Sequence, residues 1–135
     1  YGYLSRQILD KCLRINELTC IDADYRAVKA CGLSLGERTE KNYVRIWDDV
    51  AEPQKSFVDR FDAVIMNPPF HEGRETKAAI GRAFIETAHK SLKQNGILLM
   101  VANVHLPYEG VLRPMFESVK TLASENGFKI LKATK

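Results

Sequence analysis

Apolar residues along the chain follow two different spacings. Short apolar runs, typical of buried strands, occur at Glu17–Asp22, Ala63–Met66 and Ile97–Ala102, and the alternating run Tyr43–Trp47 predicts a strand near a sheet edge. Between these runs the apolar residues recur three or four positions apart, which predicts helices. The predicted helices cover the region from Leu4 to Leu13, Tyr25–Leu35 and Lys77–Leu92, with Gly96 as the left-handed residue after the last one. This order predicts an α/β fold with a largely parallel sheet and right-handed crossovers.

The last part of the chain is compatible with two predictions. Val119–Ser124 and Phe128–Ala133 flank Asn126-Gly127, and Asn-Gly between two alternating runs is a strong hairpin signal. Alternatively, residues from Leu112 to Ser124 form one helix that Gly127 caps.

Composition narrows the class of protein. The 135 residues suffice for one compact domain, and no apolar run approaches the roughly 18 residues of a membrane span. Cys12, Cys20 and Cys31 show no metal-ligand spacing, so we expect reduced, mostly buried thiols of a cytoplasmic protein and no metal site. The net charge of +3 permits a nucleic-acid partner without requiring one.

Candidate chemistry concentrates where the run Ala63–Met66 ends. Asn67 is followed by Pro68 and Pro69, which cannot continue a strand ladder, so the chain turns a stiff corner at the carboxyl end of the strand. Ligands bind at that edge in open α/β sheets. The Asn67 side-chain oxygen and the Pro68 carbonyl can accept the two N–H bonds of a planar amine, and Phe70 can stack on a flat base. The alternative is a simple turn with Phe70 in the core.

These residues also resemble a known family. Asn-Pro-Pro-Phe at 67–70 is the signature of S-adenosylmethionine-dependent methyltransferases that modify exocyclic or amide nitrogens. The longer strings Asn67–Gly73 and Val101–Tyr108 resemble the bacterial ribosomal RNA guanine-N2 methyltransferases, notably the C-type enzyme of the small subunit, over essentially the whole chain. The resemblance implies a Rossmann-like class I methyltransferase fold with a mostly parallel sheet and an antiparallel last strand. It also implies S-adenosyl-L-methionine as cofactor and ribosomal RNA or the small ribosomal subunit as partner.

The resemblance assigns roles at the predicted substrate edge. It assigns amine binding and catalysis to the corner that begins at Asn67. It also implies that the loop after this corner and the string Val101–Tyr108 line the substrate pocket. For Tyr108, stacking on the substrate and capping the core are equally compatible with the sequence. His71 is expected to contact the substrate or to shape its loop rather than to act as a base. The catalytic residues are then Asn67, Pro68, Pro69 and Phe70, and the substrate-binding residues are His71, Asn103 and Tyr108.

Three acidic residues and two other residues are candidates for contacts with the cofactor. By resemblance, Asp22 accepts the ribose hydroxyls while Asp24 caps the next helix, although the reverse assignment is possible. Asp49 is expected to accept from the adenine amine, unless it is a solvated loop charge. Asn67 is also expected to contact the cofactor, and Gly2 is either the last residue of a glycine-rich cofactor loop or a turn glycine.

In the family, a first strand and an N-terminal domain precede the helix that is predicted here from Leu4 to Leu13. We therefore expect the chain to be one truncated methyltransferase domain without its first strand, monomeric and not associated with a membrane. The tail should then be the hairpin, with a short helix near Val111–Glu117. Rival functions are methylation of adenine N6 or of a protein glutamine, or a non-catalytic RNA-binding domain.

Overall fold

A computed structural model describes residues 2–12, 14–35, 42–50, 55–68 and 74–135. These residues form two compact units, 1–50 and 51–135. The helices are α1 (Tyr3–Lys11), α2 (Tyr25–Leu35), α3 (Arg74–Ser91) and α4 (Glu109–Leu112), and Lys55–Phe57 forms a short 3-10 turn. The strands are β1 (Glu17–Asp22), β2 (Asn42–Trp47), β3 (Phe61–Met66), β4 (Leu92–Asn103), β5 (Ser118–Glu125) and β6 (Phe128–Thr134). Within the described ranges, no helix is both long and apolar enough to cross a membrane.

The first unit is built from a parallel strand pair and two helices. Strand β1 pairs with β2 so that Asp22 lies opposite Trp47. The predictions for β1 and α2 are confirmed at both ends, and β2 begins one residue before its predicted start. Helix α1 ends at Lys11, earlier than predicted, and Leu13 lies outside the described residues. The small core of this unit contains Leu9, Cys31 and Leu35, with Leu18, Cys20 and Tyr43 packed against it.

The three thiols differ in their burial. Cys31 is buried, Cys20 is half-buried and Cys12 is exposed, and all three are free cysteines. The prediction of mostly buried thiols therefore holds for Cys31, holds in part for Cys20 and is wrong for Cys12, because α1 ends before Cys12 and leaves it in the connection to β1.

The second unit is a four-stranded sheet in the order β3-β4-β6-β5. Strands β3 and β4 are parallel, and β6 runs antiparallel to both β4 and β5. Parallel neighbours need a crossover, which α3 supplies. Helices α3 and α4 contribute to a core whose fully buried members include Ile85, Leu92, Leu98, Met100, Leu112 and Leu131.

The hairpin prediction for the tail is confirmed, and the single-helix alternative is wrong. Asn126 and Gly127 join β5 to β6, and both have positive φ values, 52° and 79°. Two left-handed residues in a two-residue loop match the twist of the flanking strands, which explains the Asn-Gly pair. Helix α4 is shorter than the predicted helix and begins two residues earlier, at Glu109.

Burial of β3 differs from the prediction. Val64 and Met66 pack in the core, whereas Ala63 and Ile65 are exposed, Ile65 by 39%. Successive side chains of a strand point to opposite faces, and α3 and α4 cover the face that carries Val64 and Met66. The prediction of a buried strand for Ala63–Met66 therefore holds for only one face of β3. Strand β4 shows the same asymmetry, with Leu98, Met100 and Ala102 buried and Leu99 and Val101 half-buried.

The junction between α3 and β4 also differs from the prediction. The left-handed residue is Asn95, with φ 63°, and not Gly96. Asparagine tolerates this conformation better than most residues. Gly96 is required for a different reason, because a Cβ there would lie 2.7 Å from the Lys93 carbonyl oxygen.

Candidate functional site

In the first unit, the carboxyl ends of β1 and β2 are joined through Asp22. The Asp22 carbonyl accepts a hydrogen bond from the Asp48 amide at 3.2 Å, and the Asp22 side-chain Oδ1 accepts one from the Asp24 amide at 2.9 Å. The acid that ends β1 therefore shapes the turn into α2 with one carboxylate oxygen. Among the contacts of the described residues, none engages its other oxygen, Oδ2.

Asp24 is the N-cap of α2, as predicted. Its Oδ1 accepts the Arg26 amide at 2.8 Å, and the Arg26 guanidinium donates to both carboxylate oxygens at 3.2 Å. Hydrogen bonds from the Arg26 side chain and amide hold the pKa of Asp24 below its ordinary value. Since both Asp24 oxygens are engaged, Asp22 is the better candidate of the two for a ribose.

Gly2 precedes α1 in a conformation that few other residues adopt. Its φ is 79°, and a Cβ would lie 3.1 Å from the Cys31 Cα and 3.2 Å from its Sγ. The Ser5 hydroxyl and the Cys20 thiol are 3.1 Å apart, which places the first turn of α1 beside the carboxyl half of β1. The Cβ contacts place Gly2 against Cys31 and Ser34, in the second half of α2, whereas Asp22 precedes the first turn of that helix. These contacts do not by themselves bring Gly2 to the carboxyl end of β1, so its role in a cofactor loop stays a prediction.

The residues after β2 complete this edge. The Asp49 amide donates to the Asp48 Oδ1 at 2.9 Å, so the Asp48 carboxylate shapes the turn and Asp49 is exposed. Trp47 donates through Nε1 to the Ala23 carbonyl at 2.9 Å, and its ring meets Tyr25 edge-on with centroids 5.7 Å apart. Trp47 therefore ties β2 to the turn that follows β1.

The thiols of this unit are not arranged as nucleophiles. Burial raises the pKa of Cys20 to about 11, a hydrogen bond with Ser5 opposes the increase and the neighbouring Cys31 adds to it. The Tyr43 hydroxyl donates to the Cys31 Sγ at 3.6 Å. A thiol with a raised pKa stays protonated at neutral pH, which agrees with chemistry that uses no cysteine.

In the second unit, the predicted corner follows β3 as expected. Asn67 is exposed directly after Met66, and Pro68 is fully buried. The buried Pro68 anchors the corner, while the alternation of β3 continues through Asn67 toward the face that carries Ile65. Pro69, Phe70 and His71 lie outside the described residues, so their roles stay predictions.

Asn103 ends β4 at the same edge of the sheet, because β3 and β4 are parallel. Its Oδ1 accepts the His105 amide at 3.0 Å, so it shapes the loop that follows. The Val104 amide donates to the Gly127 carbonyl at 3.0 Å, which ties this loop to the hairpin turn. The structure thus brings Asn67, Asn103 and the hairpin turn to one edge.

Tyr108 is not a surface on which a substrate can stack. It is 3% exposed, and among the described residues its buried hydroxyl has no hydrogen-bond partner. Its ring occupies the space beside Gly81, where a Cβ would lie 2.2 Å from the Tyr108 oxygen. Burial also raises the pKa of Tyr108. The prediction of stacking is wrong for this residue, and the alternative of a core position is confirmed.

An ion pair between a buried lysine and a half-buried glutamate was not predicted from the sequence. Lys129 is 7% exposed, and its Nζ lies 2.7 Å from both carboxylate oxygens of Glu109. Burial raises the pKa of Glu109, but the Lys129 ammonium outweighs it and the net pKa lies below the ordinary value. The only sequence signal is a lysine at an inward position of an alternating strand. Elsewhere in the described chain, no group of three His, Cys, Asp or Glu residues is placed to hold a metal ion.

Comparisons with known proteins agree with this architecture. The profile of the methyltransferase small domain family matches residues 1–132. The ribosomal RNA small subunit methyltransferase C of Shewanella loihica is 35% identical over 114 residues, which are 84% of this chain and 32% of that protein. The chain therefore spans about a third of the length of this relative.

Two solved structures show the same fold. The 16S rRNA N2 G1207 methyltransferase (RsmC) of T. thermophilus, in complex with AdoMet and guanosine, superposes with a TM-score of 0.71 at 29% identity. The match covers 88% of this chain and 31% of that one. A methyltransferase-like protein of Bacillus halodurans has a TM-score of 0.71 at 12% identity, covers 99% and 88% of the two chains, and supports the fold alone. The chain belongs to the methyltransferase small domain family and has the Rossmann-like fold of class I S-adenosylmethionine-dependent methyltransferases, as predicted.

Proposed function

We propose that this chain transfers a methyl group from S-adenosylmethionine to the exocyclic N2 amine of a guanine in ribosomal RNA. The observation that carries the proposal is the corner after β3, where an exposed Asn67 precedes a fully buried Pro68. The relatives support the substrate class, because one is named for the small-subunit ribosomal RNA and another was solved with AdoMet and guanosine.

The corner provides two acceptors for one amine. The Asn67 side-chain oxygen and the Pro68 carbonyl can each accept one N–H bond of guanine N2. Because the Pro68 ring is held in the core, the direction of its carbonyl is fixed before substrate binds. The guanine N2 lone pair is delocalised into the ring and is a poor nucleophile. Two acceptors at fixed positions favour a more tetrahedral nitrogen and hold it in line for transfer.

The first unit would hold the cofactor. Gly2 lets the N-terminus of α1 present its backbone, the Asp22 Oδ2 accepts ribose hydroxyls, and Asp49 accepts from the adenine amine. Asn67 is the fourth proposed cofactor contact. When bound, S-adenosylmethionine supplies an electrophilic methyl group on a sulfonium. The engaged Asp24 carboxylate supports the choice of Asp22, because both Asp24 oxygens are bound to Arg26.

The remaining roles belong to the same proposal. Pro69 and Phe70 complete the amine site and fix the base plane, while His71 and Asn103 line the substrate pocket. We infer one catalytic domain that acts as a cytoplasmic monomer on ribosomal RNA or the small subunit. The target base must be unpaired or flipped out to reach the corner.

The test is nucleoside mass spectrometry of ribosomal RNA from cells that lack the complete gene. We expect one N2-methylguanosine to disappear and to return with the wild-type gene and with Ser124→Ala, an exposed control on β5. Asn67→Ala should not restore it, because losing one of the two acceptors should lower kcat about 100-fold or more.

Other outcomes redirect the proposal. Unchanged N2-methylguanosine would refute guanine as substrate, and a loss of N6-methyladenosine would indicate the adenine amine. If no nucleoside changes, a protein glutamine or a non-catalytic RNA-binding role replaces the proposal, and S-adenosylmethionine titration separates these two.

A further inference from the structure

The start of β6 places an aromatic ring at the substrate edge. Phe128 lies directly opposite Asn103 in the antiparallel ladder between β6 and β4. Residues directly opposite each other in such a ladder project to the same face, with Cβ atoms about 4.5–5.5 Å apart. The Phe128 side chain is 44% exposed, in contrast to Tyr108, which is buried.

The same face carries the amine corner. Ile65 pairs with Leu99, and every second residue of a strand lies on the same face. Asn67, two residues after Ile65, and Asn103, four residues after Leu99, therefore project to the face that α3 and α4 leave uncovered. Met66 pairs with Met100, so Asn67 lies level with Val101, two residues before the level of Asn103 and Phe128. Strand β4 lies between β3 and β6, so two strand spacings and this offset separate the backbones at Asn67 and Phe128 by about 12 Å. An amide, a second amide and a ring therefore follow one another along the edge.

The direction of the ring is fixed by its neighbours. Lys129, the next residue, points into the core and binds Glu109 at 2.7 Å. The hairpin turn is held on the other side, because the Gly127 carbonyl accepts the Val104 amide. A slip of one residue in β6 would bring Lys129 to the surface and Phe128 into the core, and it would break the buried ion pair.

We propose that Phe128 is a further surface on which the substrate base stacks while its amine is held at Asn67, in addition to the stacking role proposed for Phe70. This inference rests on the proposed function and extends it by a residue that determines substrate binding. The ligand is a flat purine of unpaired RNA, and every base has a face that can stack on such a ring. Within the second unit, Phe128 thus takes the role that the sequence suggested for Tyr108.

Equilibrium binding measures this contact without requiring methyl transfer. The probe is a labelled nine-nucleotide RNA, uridines around one central guanosine, compared with the same RNA carrying an abasic site at the centre. Fluorescence anisotropy with the complete gene product should show that Phe128→Ala weakens binding of the guanosine RNA about 5- to 150-fold. Binding of the abasic RNA should not change.

Two matched variants complete the design. Phe128→Trp keeps a stacking ring and should bind the guanosine RNA as well as the wild type or better. Leu122→Ala removes another exposed apolar side chain, on β5, and should leave both affinities unchanged. In methylation assays, Phe128→Ala should raise KM for RNA and leave kcat nearly unchanged, because stacking holds the base equally in the ground and transition states.

Three results would overturn the inference. One is wild-type affinity of Phe128→Ala for the guanosine RNA, and the second is an equal loss for both RNAs, which would indicate a structural role. The third is a failure of Phe128→Trp to restore binding while circular dichroism shows a folded protein. If nucleoside analysis refutes guanine methylation but guanosine-dependent binding still requires Phe128, the stacking surface stands and only the proposed reaction fails.

Discussion

Replacing Tyr108 with phenylalanine removes a single buried oxygen atom. Among the described residues this hydroxyl has no hydrogen-bond partner. A buried polar group without a partner costs about 1–3 kcal/mol of folding free energy. The contacts that the oxygen makes with its neighbours are worth only about 0.1–0.2 kcal/mol for each atom pair. We therefore expect Tyr108→Phe to raise the free energy of unfolding by about 1 kcal/mol at neutral pH.

The difference in unfolding free energy between Tyr108→Phe and the wild type should grow in alkaline solution. Burial raises the pKa of Tyr108 above its ordinary value of 10.0. Below that pH the phenol is neutral in both the folded and the unfolded chain, so its contribution is constant. Above it the unfolded chain releases a proton that the folded chain retains, and the wild type loses stability. The phenylalanine variant lacks this loss. Burial also raises the pKa of Tyr43, but that residue is present in both proteins and its effect cancels.

Urea unfolding followed by circular dichroism at pH 7 and at a pH above 10 measures both effects. Tyr25→Phe is the matched control, because Tyr25 is exposed and its change should stay within about 0.5 kcal/mol. A loss of stability of about 0.5 kcal/mol or more in Tyr108→Phe at pH 7 would refute the reasoning, because it would mean that the hydroxyl makes a hydrogen bond.

Substitutions at Gly2 and at Lys129 test how much a left-handed glycine and an ion pair contribute to stability. Gly2→Ala should lower the free energy of unfolding by about 1–2 kcal/mol from its left-handed φ alone. Gly110→Ala, in helix α4, should not lower it in the same urea titration, because its Cβ would meet nothing within 4 Å and alanine is favoured over glycine in a helix. Lys129→Met leaves the half-buried Glu109 carboxylate without its cation and should cost about 1–3 kcal/mol, and Lys129→Met with Glu109→Gln should recover most of this. Because the folded pKa of Glu109 lies below its ordinary 4.5, the wild-type advantage should be complete above pH 4.5 and disappear as pH falls. An advantage that persists in acid would contradict this account.

Strand β1, helix α2 and the β5–β6 hairpin were predictable, because residues close together in the sequence determine them. The bounds of β1 and α2 follow from an apolar run that ends in Asp22 and from a helix that begins after its cap, Asp24. The hairpin follows from Asn126-Gly127, because few other pairs accept two positive φ values. These signals lie within a few residues of the structure that they specify.

Burial and pairing over long distances were not predictable in this way. Tyr108 is buried because Gly81, on a different helix, leaves room for its ring, and the sequence around Tyr108 does not show this. Ile65 is exposed because the helices of its unit cover the opposite face of β3. Lys129 is buried because α4 places Glu109 above it. The position of Asn67 at the carboxyl edge of the sheet was predictable, because the end of a strand follows from the local sequence and the topology. The buried residues that fix the geometry of this edge, such as Lys129, were not predictable.

The antiparallel half of the second unit has a consequence for the order of folding. The strands of the β5–β6 hairpin are joined by only two residues, so they can pair within microseconds, as isolated hairpins do. The parallel pairing of β3 with β4 must wait until α3 has closed a much longer loop. We expect the hairpin to form early and to offer β6 as a template for β4, so that the edge with Asn67 is the last part of the sheet to assemble.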